Sequence, residues 1–541
     1  MSEAPVKDDA VVPHPDVLPY GRTNPITGPP FDLYENEYVD PVYHAKAQIL
    51  NRSIQDIGMG KYQWGLFVVA GFGWFADSAW PVSFIGLNQI VQPTESSVNQ
   101  SMSGLILTPA VNEFQFNGPF LSLASNIGLF FGGLIWGLGC DIWGRRWSFN
   151  LTLLIAGIFG VVAGGSPSFV ALAVFMSFVS IGVGGNMPVD AAVFLDFVPG
   201  SHQYLLTILS IWWCLGQLLA SLIAWPLIAG YSCSSSADCD RSDNMGWRYL
   251  LFVLGGLTLF LWGIRFFVFN LLESPRFLSG IGKDAEAVDV IRNLAECNGK
   301  PNPLTVEELE APGKIRGRDV FGSTGRRRIL SEGSGFAIDH IRALFSTPKM
   351  AWSTSLLIVV WGVIGLASTL YNNFLPYILT TRGVTFGDGS LYITYRNQVI
   401  LSAVGIPAAL LAGWAVEVPY VGRKGTLAIA AGLTGTFLFA STTSRTSNEL
   451  LGWNCGYALF SNIMYGVLYA ISSEIFPAIH RGTGNCLTST AKGVFGIMAP
   501  IIALYANLST AVPVYVAGSL LLFAGFVVLL LPYEPRGKVS I

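Results

Sequence analysis

Twelve apolar stretches, each close to the ~20 residues that a helix needs to cross a bilayer, divide this 541-residue chain into two sets of six. Bounded by charges and turn residues, the first set runs over 65–90, 118–140, 147–165, 168–193, 205–229 and 247–271. The second runs over 350–375, 396–416, 425–442, 450–471, 484–506 and 512–532. Between them, GKIRGRDVFGSTGRRRILSEG is too polar and glycine-rich to cross a membrane. With 52% hydrophobic and 12% charged residues, the chain has too little polar surface to cover several water-soluble domains, so its bulk is expected to face lipid. The reading is an all-α integral membrane protein of two six-helix bundles. Residues 1–62 form a disordered cytosolic tail, with a short helix around Ala45–Ile57. Residues 63–272 form the first bundle, 273–348 a cytosolic loop, 349–532 the second bundle and 533–541 a second tail. No basic start with an apolar run precedes Trp64, so the first span is expected to serve as its own insertion signal.

Positive residues set the orientation. With both termini in the cytosol, 24 of the 31 Lys and Arg residues lie on that side and five on the other, with Arg265 and Lys492 inside spans. A net charge of −3 argues against nucleic acid as a partner. Seven cysteines without CxxC spacing argue against a disulfide scaffold or structural zinc, and no metal or cofactor is expected. Cys233 and Cys239 are spaced for a small disulfide, and Asn99 sits in a glycan-acceptor triplet; both signals are weak.

The two halves repeat each other. Gly137-x-x-x-Asp141-x-x-Gly144-Arg145-Arg146 follows the second span, and Gly413-x-x-x-Glu417-x-x-x-x-Gly422-Arg423-Lys424 follows the eighth. DFVPGSHQ (196–203) follows the fourth and EIFPAIHR (474–481) the tenth. Arg145 and Arg423, like Asp196 and Glu474, stand 278 residues apart. A tight turn between spans needs glycine, the acid can sit at a helix start or pair with Arg, and the arginines anchor at headgroups.

On these residues the chain resembles the major facilitator superfamily from about 64 to 532. Glu273-Ser-Pro-Arg276 and EIFPAIHRGTG resemble motifs of its sugar-porter branch. GFGWFADSAW (71–80) and GVGGNMPVD (182–190) look most like synaptic-vesicle-glycoprotein-related carriers and their fungal relatives. Phe178 stands where that branch often has an Arg, and Gln203 where the first acid-Pro motif would have one. The resemblance implies a monomeric secondary carrier that moves a small solute by alternating access, and slightly favours the plasma membrane.

Asp77 is the first functional residue to consider. A mid-span carboxylate costs several kcal/mol when ionised unless paired or hydrated, which suits a site that takes up and releases a proton. The alternative is an acid lining a hydrated cavity, or one paired with a basic residue as structural support. Lys492 either meets an anionic substrate or Asp77, or snorkels to the headgroups; for Arg265, snorkelling is the expectation. Arg396 reads as an interface anchor or an attractor of anions. Tyr371, Asn372 and Asn373 resemble the polar stretch lining the sugar-porter cavity, and with Gln217 and Asn462 they are either substrate contacts or polar glue between helices. Trp212, Trp213 and Trp361 either stack on a ring substrate or pack against lipid, and lipid packing is the expectation. Asp141, Arg145, Arg146, Asp196, Glu273 and Arg276 from the first half, with Glu417, Arg423, Glu474 and Arg481 from the second, are expected to form ion pairs closing the cytosolic mouth. Without a Walker A pattern or a clustered catalytic set, neither an ATP-driven pump nor an enzyme is supported. The expected function is proton-coupled symport of a sugar, carboxylate or organic ion, the alternative being a nutrient sensor on the same scaffold.

Overall fold

A computed structural model describes residues 31–32, 41–84, 106–116, 119–232, 241–301, 304–315, 340–381, 391–505 and 512–539. Asn99, Cys233 and Cys239 lie outside them.

Each expected span is helical. The first half comprises α2 (Lys61–Phe84), α4 (Pro119–Ile142), α5 (Arg145–Gly164), α6 (Phe169–Phe197), α7 with α8 (Leu205–Ile208, Ile211–Tyr231) and α9 (Gly246–Gly263). The second comprises α13 (Pro348–Thr381), α14 (Leu391–Ala415), α15 (Gly422–Ser441), α16 (Ser447–Ile475), α17 (Arg481–Tyr505) and α18 (Val512–Leu529). Among the described residues, eight of these spans are long and apolar enough to cross a membrane by length and composition. Phe260, Phe267, Val268, Trp414 and Phe526 lie exposed on the outside, as lipid-facing residues must.

Each half packs on itself, α4 and α5 against α6 in the first and α15 against α16 and α18 in the second. The halves meet along α4–α17 and α8–α14. Small residues permit this. A Cβ on Gly137 would strike Cys486, and one on Gly482 would come within 2.6 Å of Asp141 Oδ1.

Within the tail read as disordered to residue 62, the short helix expected around Ala45–Ile57 is present and starts earlier, at Pro41. Helix α1 (Pro41–Ile57) presents Ala47, Leu50, Ile54 and Ile57, all buried, to the first half. That 3.6-residue apolar stripe needs a partner surface, which a solvated tail lacks. The surface is a platform of α10 (Pro275–Gly280), α11 (Asp284–Cys297) and α12 (Val306–Ile315), to which Lys46 adds an ion pair with Asp284. Two-residue strands β1 (Phe31–Asp32) and β2 (Lys538–Val539) pair in parallel and join the chain's two ends.

At the opposite end, in the connection between the first two spans, α3 (Leu107–Phe114) carries Glu113. Its carboxylate accepts both Nη atoms of buried Arg248 at 2.6 Å, and Trp247 Nε1 at 3.1 Å. Burial works against its charge, but these bonds prevail and hold the carboxyl below its usual range. The stabilisation is therefore complete above the ordinary carboxylate range and lost as pH falls through the lowered value. We expect Glu113→Gln to cost about 1.5–3 kcal/mol at neutral pH. The difference from wild type in thermal melts should shrink in acid; an equal difference at both pH values would refute the charge-based account.

Candidate functional site

Between the halves lies a cavity of about 310 Å³. Asp77 from α2 lines it with Gln217 from α8, Tyr371 from α13, Asn462 from α16 and Lys492 from α17, so the structure brings these expected residues together. Asn372 and Asn373 continue helix α13, but their side chains lie outside the described residues. Arg396 is exposed and bonds to Asn397.

Lys492 is eleven residues into the 25-residue α17, near its middle, and does not snorkel. Its stem packs against Gly365, where a Cβ would come within 3.2 Å of Lys492 Cγ. The ammonium donates to Tyr469 Oη at 3.2 Å and lies 5.7–5.8 Å from the ring centroids of Trp361, Tyr465 and Tyr469. These rings hold one another: Trp361 meets Tyr469 at 4.5 Å and Trp213 meets Tyr465 at 5.4 Å, both edge-on. Trp361 donates to Ser472 at 2.7 Å and Tyr465 to Ser368 at 2.9 Å. Trp213 thus lines the cavity, and Trp361 is buried behind Lys492 with its indole N–H satisfied by Ser472, so neither is spent on lipid. Trp212, half-buried, meets Phe72 edge-on. Asn462 lines the cavity and serves as polar glue, accepting from Cys214 at 3.5 Å and donating to its own helix at 2.8 Å.

Asp77 is 9% exposed, and its Oδ1 has no hydrogen-bond partner. Asn186 faces it from α6, and Lys492 lies within electrostatic range. Arg265, expected to snorkel, is wholly buried and paired to Asp190, a residue the span reading left unweighed. A carboxylate one helix away holds the guanidinium more tightly than headgroups beyond the span end can.

The expected mouth residues sit at one end, which is shut. Asp196 is their centre, pairing with Arg145, with Arg481 Nη1 at 3.0 Å and with Arg276 Nη1 at 3.8 Å. Arg481 crosses from the other half, and Arg145 Nη2 crosses back to the Ala478 carbonyl at 2.5 Å. Asp141 also crosses. It accepts Gly482 N at 3.2 Å, Thr483 N at 2.7 Å and Thr483 Oγ1 at 2.9 Å, so it caps the start of α17.

The two turns are built alike. Gly144 and Gly422 hold φ +97° and +59°, conformations that favour glycine. Glu273 accepts the amides of Arg145 and Arg146 at 3.0 and 3.3 Å, while Glu534 accepts those of Arg423 and Lys424 at 3.0 and 3.1 Å. Glu534 was missed, although its Glu-Pro-Arg after the last span echoes Glu273-Ser-Pro-Arg after the sixth. Arg423 pairs with Glu474 at 2.5 Å and with the half-exposed Glu417 at 3.3 Å, both within the second half. Gln203 stands where Arg481 has its repeat counterpart, so no guanidinium at that position reaches Glu474 from the first half. Arg146 is a correction: its backbone is capped by Glu273, but its side chain is exposed and makes no described contact across the halves. Beside this end His480 Nδ1 lies 2.6 Å from His340 Nδ1; burial and that neighbour push His480 down to about 3, which keeps it neutral.

Residues 118–534 match the family model described as "Sugar (and other) transporter". The chain is 64% identical over 98% of both sequences to a protein of Ceriporiopsis subvermispora named MFS siderochrome iron transporter 1. It is 24% identical over 83% of its length, and 88% of the relative's, to the niacin transporter NiaP of Acinetobacter baylyi. The solved structure of the MFS proton:xylose symporter XylE from E. coli covers 88% of this chain, which spans 98% of that one, with a TM-score of 0.62 at 19% identity.

Proposed function

Because the chain belongs to the sugar (and other) transporter family of the major facilitator superfamily, and is thus a multi-pass membrane transporter, we propose that it carries a ring-bearing organic monocarboxylate together with a proton. Transport is by alternating access, in the plasma membrane, with both termini and the shut end in the cytosol. One chain suffices as the working unit.

The observation that carries this reading is the ammonium of Lys492 at the middle of a span, walled by the rings of Trp361, Tyr465 and Tyr469. A fixed cation recognises a carboxylate. Rigid aromatic walls favour a flat ring that stacks or meets them edge-on. The relative named a niacin transporter points to the same chemistry. The relative named for siderochromes suggests a far larger iron chelate, but about 310 Å³ lies at the lower end of the ~300–1,000 Å³ of small-molecule sites.

Charge counting supplies the coupling. With the cavity empty, Asp77 and Lys492 balance each other across it. A bound carboxylate takes Lys492 for itself and leaves Asp77 to take a proton, since an unpaired ionised acid at mid-membrane is costly. One anion and one proton then travel together. At the cytosolic mouth, Asp196–Arg481 and Asp141 with α17 hold the shut state and must part for release.

The test is uptake by purified protein in liposomes of labelled nicotinate and benzoate, against xylose and ferrichrome, with and without an inward proton gradient. Ring acids should enter and be driven by the gradient. Asp77→Asn should abolish gradient stimulation, while exchange of nicotinate for nicotinate survives. Xylose uptake insensitive to nicotinate would replace the anion reading with a sugar one. Absence of any uptake, with nicotinate still binding, would favour a sensor.

A further inference from the structure

The buried charges of the first bundle extend beyond Asp77. Asp190 on α6 is wholly buried, and its Oδ1 is bound by Arg265. Arg265 lies in a π-helical turn, Ile264–Val268, that closes the sixth span, and π turns recur at functional sites. Its guanidinium carbon stands 3.2 Å from the ring centroid of Phe149. Asn186 is one helical turn before Asp190 on the same face of α6. Gly73, one turn before Asp77, has no room for a Cβ against Asp190 Oδ2, so the helix of Asp77 rests directly on the helix of the pair.

Asn186 faces Asp77 as a side-chain hydrogen-bond partner. Asp77 Oδ1, Asp190 Oδ2, and Nε and Nη1 of Arg265 are buried polar atoms without a hydrogen-bond partner. Buried polar groups are nearly always satisfied, and clustered exceptions mark a place where structure serves something other than stability. The charged and titratable groups that face Asp77 are Asp190 and Arg265 within the bundle, and Lys492 and Tyr469 across the cavity.

One guanidinium is thus bonded to Asp190 and lies within electrostatic range of Asp77. We propose that Asp77, Asn186, Asp190 and Arg265 form a single proton-holding cluster, in which the Asp190–Arg265 pair sets how tightly Asp77 keeps its proton. Arg265 is a positioning residue. One of its donors is committed to Asp190, and the rest of its charge is available to the ionised form of Asp77. This inference rests on the proton-coupled reading above, and it makes opposite predictions for the two members of the pair. Removing the charge of Asp190 frees Arg265 to stabilise ionised Asp77, so the proton is held less tightly. Removing the charge of Arg265 leaves two neighbouring acids without a cation, so it is held more tightly.

The experiment is the pH profile of gradient-independent nicotinate binding and of driven uptake for Asp190→Asn, Arg265→Gln, the double variant and Asp77→Asn. Asp190→Asn should move the half-maximal pH toward acid by about one unit, a tenfold loss in proton affinity. Arg265→Gln should move it by a similar amount toward alkali, and the double variant should lie between them. Shifts in the same direction, or none, would overturn the proposal, since a merely structural pair gives no opposite signs. Should Arg265→Gln fail to fold, Asp190→Asn decides alone: an acid shift supports the cluster, and an alkaline shift or none refutes it. Gradient-driven uptake that ignores Asp77→Asn would instead mean that the coupling reading has failed.

Discussion

Replacing Lys492 with glutamine is expected to weaken nicotinate binding and slow its uptake on the order of a hundredfold or more. The ammonium is the one cation among the described cavity-lining residues, and losing one partner of a desolvated charge pair costs about 2–5 kcal/mol, at 1.4 kcal/mol per decade. The protein itself should be no less stable. An amine at mid-span costs desolvation that its position over three rings only partly offsets, and Asp77 can take a proton once its counter-charge is gone, so removal of the amine leaves the melting temperature unchanged or raised. That separates a binding defect from a folding one. Arginine should rescue poorly, because its broader guanidinium would have to fit where the ammonium stands among the rings of Trp361, Tyr465 and Tyr469. Tryptophan fluorescence titration of the purified variant checks the prediction, with Trp361 and Trp213 beside the amine. Undiminished nicotinate affinity would remove Lys492 from the site.

Asp196→Asn should open the shut end. Three guanidiniums converge on this carboxylate, and one of them, Arg481, belongs to the other half. Neutralising a buried partner costs about 3–5 kcal/mol. Arg145 and Arg276 stay beside residue 196 whichever way the halves stand, whereas Arg481 leaves when the mouth opens. A large share of the cost therefore falls on the shut state and shifts the balance between states by about a hundredfold. Cys486 offers a native reporter. It is 2% exposed against Gly137, so its alkylation by a maleimide, with exposed Cys297 changed to serine, should quicken markedly in the variant. An unchanged rate would mean that the ion pairs do not hold the mouth.

The spans were legible because the hydrocarbon thickness fixes their length and leaves an apolar record in the chain. Their ends were less so: α13 runs on to Thr381 and α16 begins at Ser447. The residues at the mouth were legible for another reason, the duplication, which placed Arg145 with Asp196 and Arg423 with Glu474. What the sequence did not carry was which helix face meets which. Arg265 sits near a span end and so reads as a snorkelling residue. Only the packing of α9 on α5, with Arg265 reaching from the π turn that follows, supplies Asp190 and Phe149. Trp213 and Trp361 read as lipid-facing for the same reason, since a span that is apolar all round has no periodicity to show its inner side. Glu534 was hidden by a shorter spacing in its motif, and Glu113 by lying in a connection rather than a span.

Asp141 gives the transport cycle an unexpected dependence on local helix stability. Since its carboxylate belongs to one half and the amides it caps begin a helix of the other, the proposed parting of the halves would uncap α17 each time the mouth opens. A lost cap costs about 0.5–2 kcal/mol, and the freed amides of Gly482 and Thr483 must then find water. On the alternating-access reading proposed above, the first turn of α17 would fray and re-form once per turnover, so the helix end acts as a spring that is loaded by opening and favours closure.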